Sequence, residues 1–513
     1  MRSKVFLILL FIIAIVLFIT VIISREEITK VPEPSYWPTN GWESATPESQ
    51  GFHSVKLAEG LNEIKQKGIN INSLMIIRND LVILDSYFYP YDGSTYHEVA
   101  SVTKSVMTTL IGIAADQGKL DLDQPILSFF PHRTIANRDQ MKEQVTVRHL
   151  VSNSAGFRFN EKDDIATLDT MMESDDWIQY TLNLPVIHKP GTHFAYFSPG
   201  MHLLSAILQE VTGMTALEFA DTYLFKPLGI NEVYWPSDPQ GYTRGWGHLC
   251  LYPIDMAKIG FLFLHQGKWE DKQIVSSQWV NEATKKQLPT GQEREGYGYG
   301  WWISGPSPDE EFPFYRAYGR NEQIIMVLPS INALLVTTGG GFDFDEVAPY
   351  IVASIGDLER PLQENPSAVE KLNNTVSELK QRPEPQTVPP LPEIASSISG
   401  KTFIFEPNAL DLESFRFDFN NEKEAMLQLK IETESAPRKV SVGLDGLWRP
   451  SINGQPAVSR GYWEDDKTFI LEYNEGPGLK NYSLKLNFEN NKVILEILIP
   501  ASEAGLTIEG NLN

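Results

Sequence analysis

The fold this sequence predicts is an α+β domain, an antiparallel sheet flanked by helices with an all-helical subdomain, followed by a C-terminal all-β barrel or sandwich. Three observations predict it. Strand-like runs at 73–77 and 81–84, split by Arg78-Asn79-Asp80, read as an early hairpin. Aromatic and β-branched runs return near 300–303, 323–328 and 333–338, after a long middle section of helical periodicity and Gly/Pro turns, so early and late strands share one antiparallel sheet. Beyond residue 400, polar and apolar residues alternate over short stretches such as 468–473 and 493–497, with turn signals between them.

Taken in order, the chain opens with Val5 to Ile23, nineteen consecutive residues of which only Thr20 is polar, preceded by Arg2 and Lys4 and followed by Arg25-Glu26-Glu27. Such a run can span a bilayer. It lacks the Ala-x-Ala site of a cleaved signal peptide, and the charge before it places the N-terminus in the cytoplasm and the body outside. The expected domains are therefore an N-terminal anchor or signal at 1–24, a Pro-containing tether at 25–41, a main domain at 42–360, a Pro-rich linker at 361–399 and the β domain at 400–513. Amphipathic helices are expected at 200–212 and 253–265.

Composition excludes several classes. At net charge −23 the chain carries no electrostatic case for nucleic acid. With 42% hydrophobic and 11% aromatic residues it can pack cores, so wholesale disorder is excluded. The single cysteine, Cys250, cannot form an intrachain disulfide and reads as a small buried hydrophobe. No Cys/His cluster with zinc spacing accompanies it.

The chemistry begins at Ser101-Val102-Thr103-Lys104. Met107, Leu110, Ile111 and Ala114 continue at helical spacing, which puts Ser101 near a helix N-terminus and Lys104 on the same face one turn later. Desolvation and the positive helix end both push an amine there toward its neutral, proton-accepting form. The same pattern recurs at Ser377-Glu378-Leu379-Lys380, in a charged segment, where it reads as a solvated helix surface. An acyl-transfer site also needs a second proton relay and an oxyanion hole. Tyr196 and Ser198, on a turn before the helix at 200–212, offer the first; Tyr196 equally suits plain loop packing. Tyr315 to Arg320, just before the strand at 323–328, offers the second, because Gly319 permits close backbone approach.

These three segments, in this order, resemble the serine β-lactamase and penicillin-binding-protein superfamily, in its class C-like esterase branch. The resemblance covers roughly 42–355. Val147-Arg148-His149-Leu150-Val151-Ser152-Asn153-Ser154-Ala155-Gly156-Phe157 is similar to the family's helix-and-turn element. Tyr196-Phe197-Ser198 stands at its Tyr-x-Asn position, and Gly247-His248-Leu249 through Asp255-Met256-Ala257 and Tyr297 to Trp302 match further landmarks. The resemblance implies that Ser101 attacks a carbonyl, that Lys104 and Tyr196 move its proton to the leaving group, that water releases the acyl-enzyme, and that no metal or organic cofactor is needed. It implies an oxyanion hole from the backbone N–H groups of Ser101 and Arg320, and substrate contacts at Ser198, Tyr318, Gly319 and His248.

Two departures narrow the substrate. Where β-lactamases carry Lys-Thr-Gly or a histidine variant, this chain has Ala317-Tyr318-Gly319, so the cation for a substrate carboxylate is missing unless Arg316 or Arg320 replaces it. Ser198 stands where the family has asparagine. Esters or simple amides are the expected substrates, as for the family's esterases and aminohexanoate-oligomer hydrolases. The alternatives are a D-stereospecific peptidase or transpeptidase, or weak β-lactamase, acting on cell-wall peptides, and, in a different class, a non-catalytic acylated sensor. Only four residues precede the apolar run, which disfavours the sensor. No Gly-x-Ser-x-Gly elbow supports an α/β-hydrolase. His149 reads as a helix cap or packing residue, while Trp246, Trp301 and Trp302 are candidates for an apolar wall or for core. Oligomeric state is not readable.

Overall fold

The computed structural model describes residues 31–159, 164–291, 295–304, 312–408, 410–431, 436–451, 457–475, 480–489, 491–498 and 506–513. The apolar run at 5–23 lies outside them. Among the described residues no helix is long and apolar enough to cross a membrane.

Helix α1 (Ser54–Gln66) leads into the hairpin β1 (Ile71–Arg78) and β2 (Leu81–Tyr87), and a two-residue strand β3 (His97–Glu98) precedes helix α2 (Val102–Asp116). The short α3 (Val147–Val151) and the longer α4 (Ser198–Thr212) belong to a helical region, which ends at β4 (Cys250–Leu251) and α5 (Pro253–Leu264). Strands β5 (Glu295–Tyr297), β6 (Trp302–Ser304), β7 (Tyr315–Gly319), β8 (Gln323–Leu328) and β9 (Ala333–Gly339) follow, then α6 (Phe344–Ser354) and α7 (Pro366–Leu379). The sheet runs β2-β1-β9-β8-β7-β6-β5, with Leu288–Pro289 outermost. Its early and late strands join as predicted, Met75 standing opposite Val336 in the antiparallel β1/β9 pair.

This sheet is covered on both faces, which is why β1 is buried along its whole length rather than alternating. Leu74 and Ile76 join Leu57, Leu61 and Ile64 of α1, Val347 of α6 and Leu372 and Leu379 of α7. Met75 and Ile77 join Val106 and Leu110 of α2 and Ile259 and Phe263 of α5. Each fully buried aliphatic or aromatic side chain contributes about 1.5–3 kcal/mol. Helix α7 falls inside the stretch read from sequence as linker; its apolar residues pack it on α1, and an extended segment follows it.

The C-terminal strands are β10 (Thr402–Phe405), β11 (Leu412–Asn421), β12 (Glu424–Ile431), β13 (Arg438–Gly443), β14 (Ala457–Trp463), β15 (Thr468–Glu475), β16 (Lys480–Glu489), β17 (Lys492–Leu498) and β18 (Leu506–Leu512). A parallel pairing of Gly443 with Arg460 joins β13 to β14 and closes the ring, so the sequence's choice between barrel and sandwich resolves to a barrel. Phe403, Phe415, Phe417, Phe469 and Phe488 fill it. The barrel touches the main domain where the Trp448 N–H donates to the Tyr89 hydroxyl (2.9 Å) and the Asn474 amide to the Tyr91 hydroxyl (3.0 Å).

Candidate active site

Ser101 is the residue immediately before α2, as the apolar spacing predicts. Ala100 reaches it through a left-handed backbone, φ +48°, and the Thr103 hydroxyl donates to the Ala100 carbonyl at 2.6 Å, so the turn is braced from within the helix. The far side of α2 is anchored too: the Ser105 hydroxyl donates to the Gly300 carbonyl at 2.6 Å and that of Thr108 to the Tyr299 carbonyl at 2.9 Å. Helix position and serine position are thereby fixed together.

Lys104 is 2% exposed. Its Nζ donates to Ser101 Oγ at 2.9 Å and to the Trp246 carbonyl at 2.9 Å, and it lies 4.7 Å from the centroid of the Tyr196 ring. An amine held by one carbonyl and one hydroxyl, with an aromatic face beside it, has no carboxylate in any of these three contacts. The serine, the lysine and the tyrosine predicted from sequence thus converge.

Tyr196 stands on the loop before α4, with its ring stacked on Trp302 (5.7 Å, 24°) and edge-on to Tyr297 (6.2 Å). Phe194 completes this wall, 5.2 Å from Tyr297 and 6.1 Å from Trp302. Burial pushes the Tyr297 phenol well up, and the neighbouring Tyr196 adds to the effect, so Tyr297 stays protonated as the buried backing of this wall. The three tryptophans considered from sequence separate. Trp302 lines the site; Trp301 is fully buried against Phe263 and Tyr315. Trp246 is a core ring whose contribution is its carbonyl.

Strand β7 brings up the third segment. A Cβ on Gly319 would lie 2.4 Å from the Val99 carbonyl oxygen and 3.0 Å from Ala100 Cβ, so only glycine lets the strand approach the serine turn this closely. Strand β6 pairs with β7 only at Tyr315 and Arg316, which among the described residues leaves the edge of 317–319 without a strand. Ala317 and Gly319 are buried, whereas the alternating Arg316 and Tyr318 belong to the opposite face. There Arg316 meets Glu295 at 3.2 Å and lies over the Tyr318 ring, whose hydroxyl donates to Glu322 at 2.7 Å. The Arg316 alternative raised from sequence is therefore engaged away from the buried face, and Arg320 is an exposed turn residue.

Ser198, expected on a turn, is instead the first residue of α4 and is 1% exposed; the Pro199 that follows it suits a helix start. His248 sits with Nδ1 3.2 Å from Glu98 Oε1. His149 caps α3, its Nδ1 accepting from the Thr146 N–H at 3.0 Å. Among the described residues no cluster of three or more His, Cys, Asp and Glu side chains could hold a metal.

Sequence reasoning missed two supports. Asn153, in a left-handed conformation (φ +52°), accepts the Phe197 N–H on Oδ1 at 3.1 Å and the Ala195 N–H on its carbonyl at 2.9 Å, holding Tyr196 from both sides. The small polar run Ser152-Asn153-Ser154 was the available signal, since asparagine tolerates that backbone and supplies an acceptor. The Trp246 carbonyl had no signal, because backbone acceptors are not written in residue types.

The antiparallel sheet between helical layers, with a serine and buried lysine on one helix turn facing its last long strands, defines a β-lactamase-like hydrolase fold. The Beta-lactamase family profile matches residues 58–353, more than half of the chain, and the chain belongs to that family. It is similar to an uncharacterized protein of Alkalihalophilus pseudofirmus, 23% identical over 56% of this chain and 89% of the relative. It is also similar to the 6-aminohexanoate-dimer hydrolase of Paenarthrobacter ureafaciens, 24% identical over 51% of this chain and 72% of the relative. Among solved structures, a Bacillus anthracis protein provisionally named a 6-aminohexanoate-dimer hydrolase superposes with a TM-score of 0.54 at 18% identity, covering 66% of this chain and 94% of that one.

Proposed function

We propose that the protein is a serine hydrolase cleaving esters or simple amides through an acyl-enzyme on Ser101. The observation that carries this is the 2.9 Å contact between Lys104 Nζ and Ser101 Oγ at a buried helix start. In this reading the serine proton passes to Lys104 as Oγ attacks the carbonyl, and Tyr196, beside the amine, delivers it to the leaving group. The oxyanion rests on the N–H groups of Ser101 and Arg320. Water then attacks the acyl carbonyl and regenerates the serine.

Substrate preference follows from what surrounds the pair. Phe194, Tyr196 and Trp302, backed by the buried Tyr297, offer an apolar wall to an acyl chain, and Ala317 offers no cation to a β-lactam carboxylate. Among the described residues the edge of β7 at 317–319 pairs with no strand, which favours a second reading, a D-stereospecific peptidase, because an extended amide chain can pair with it. Residues 5–23 would tether the body outside the membrane.

The test is a fluorophosphonate label mapped by mass spectrometry, followed by an ester and amide panel on the native protein and Ser101→Ala. Labelling at Ser101 and loss of turnover in the variant are expected. Undiminished activity in Ser101→Ala would sink the assignment, and penicillin hydrolysis outpacing that of short-chain nitrophenyl esters would reverse the substrate order.

A further inference from the structure

The mechanism above leaves the water of the second half-reaction without a base. Beside the serine stands a titratable pair that the first half-reaction does not use. Strand β3 pairs with β4, Glu98 opposite Cys250, and the alignment continues as the Val99 N–H donates to the Leu249 carbonyl at 2.8 Å. His248 therefore falls opposite Ala100, next to Ser101. The preceding residue keeps the same closeness, a Cβ on Gly247 lying 4.0 Å from the Ala100 carbonyl oxygen.

The backbone of His248 is left-handed, φ +67°, facing the left-handed Ala100 at φ +48°. Non-glycine residues in this region, opposed across the serine turn, are a costly arrangement that marks functional sites. Its consequence is the direction of the ring: His248 Nδ1 reaches 3.2 Å from Glu98 Oε1, and the imidazole packs edge-on to Trp246 at 6.0 Å. Trp246 is the residue whose carbonyl holds Lys104. Glu98 is 5% exposed, while the His248 side chain keeps 24% of its surface open. A buried carboxylate on Nδ1 fixes the tautomer with its proton there and leaves Nε2 as the basic nitrogen of the ring.

Resting on the acyl-enzyme reading, we propose that His248, oriented by Glu98, is the general base that activates the deacylating water. Water gives a proton to Nε2 as its oxygen bonds to the acyl carbonyl carbon. The tetrahedral adduct then collapses, the C–Oγ bond breaks, and Oγ takes that proton back from the imidazolium. The products are the free acid and neutral serine and imidazole.

The experiment separates the half-reactions in the full chain, using a nitrophenyl ester: the burst reads acylation, the steady state reads deacylation, and intact mass reads the adduct on Ser101. In His248→Gly and Glu98→Gln the steady-state rate should fall roughly 10²-fold, far more than the burst rate, and acyl-enzyme should accumulate. Glycine suits φ +67°, so His248→Gly should still fold, and added imidazole should restore part of its steady-state rate. Equal loss in both phases, or an undiminished steady state, overturns the role. A native protein that never forms the Ser101 adduct instead overturns the acyl-enzyme reading itself.

Discussion

Lys104 places Nζ 2.9 Å from the Oγ of Ser101, three residues earlier on the same helix turn. A second contact at the same distance, to the Trp246 carbonyl, pins the amine so that it cannot swing away to solvent. These contacts give the amine a hydroxyl, a carbonyl and an aromatic face, and in the proposed acyl-enzyme mechanism its nitrogen takes and returns the serine proton. Lys104→Met should therefore lower kcat/KM for an ester by about 10³-fold, within the range of a lost acid–base group, without lowering the melting temperature. Lys104→Arg should be as inactive, since a guanidinium does not give up its proton. A methionine variant that kept most of its turnover would remove the lysine from the chemistry.

Gly319 is the point at which the third strand meets the serine turn. An added methyl group would press on the Val99 carbonyl at 2.4 Å, a backbone atom that cannot step aside cheaply. Gly319→Ala should push β7 off the turn, destabilise the fold by about 1–3 kcal/mol as overpacking does, and lower activity further than that loss explains. Thermal unfolding and ester kinetics on one sample check both halves; a variant with native kcat would show that this approach is not needed for turnover.

The legible parts of the sequence were those written in periodicity and residue type. The hairpin of β1 and β2, the α2 helix starting behind Ser101, and strands β8 and β9 came from apolar spacing, because each buries a face large enough to leave a pattern. Less legible was α7, whose Leu372 and Leu379 are too sparse among charges to distinguish a packed helix from a linker. The pairing of Glu98 with His248 spans 150 residues and depends on a left-handed backbone, and neither fact leaves a trace in local sequence. The direction of Arg316 needed the register of β7, which one residue of slip would invert.

Tyr196 and Trp302 stack with their planes 24° apart, so hydroxyl and ring can be tested separately. Tyr196→Phe keeps the stack and removes only the oxygen; kcat should fall roughly 10²-fold with little change in KM. Trp302→Ala keeps the oxygen but removes the ring stacked on the tyrosine, a ring that in the proposed reading faces the acyl chain. That variant should raise KM for long-chain esters more than for short ones, which a chain-length series with matched leaving groups measures directly. Equal effects of both variants on kcat and KM would mean that the tyrosine only packs its loop.

Behind the site, His202 and Asp238 form a pair with both side chains fully buried, Nε2 to Oδ2 at 2.9 Å. Burial holds the His202 imidazole below its usual value, although Asp238 pulls the other way, and burial lowers His149 as well. The unfolded chain takes up these protons near pH 6.5, whereas the fold resists them until the pH is lower. Below about pH 6.5 the unfolded state therefore binds more protons, and stability must fall as pH falls through that window. The effect reaches the site because His202 packs edge-on to Trp246 at 5.0 Å, and Trp246 anchors Lys104. His202→Gln keeps a hydrogen-bonding partner for Asp238 but cannot titrate. Its stability at neutral pH should drop by about 1–2 kcal/mol for the imperfect replacement, and its acid dependence should flatten in part, His149 still contributing. Denaturant unfolding of both proteins across the acid range measures this, and superimposable pH profiles would exclude His202 as a source of the acid sensitivity.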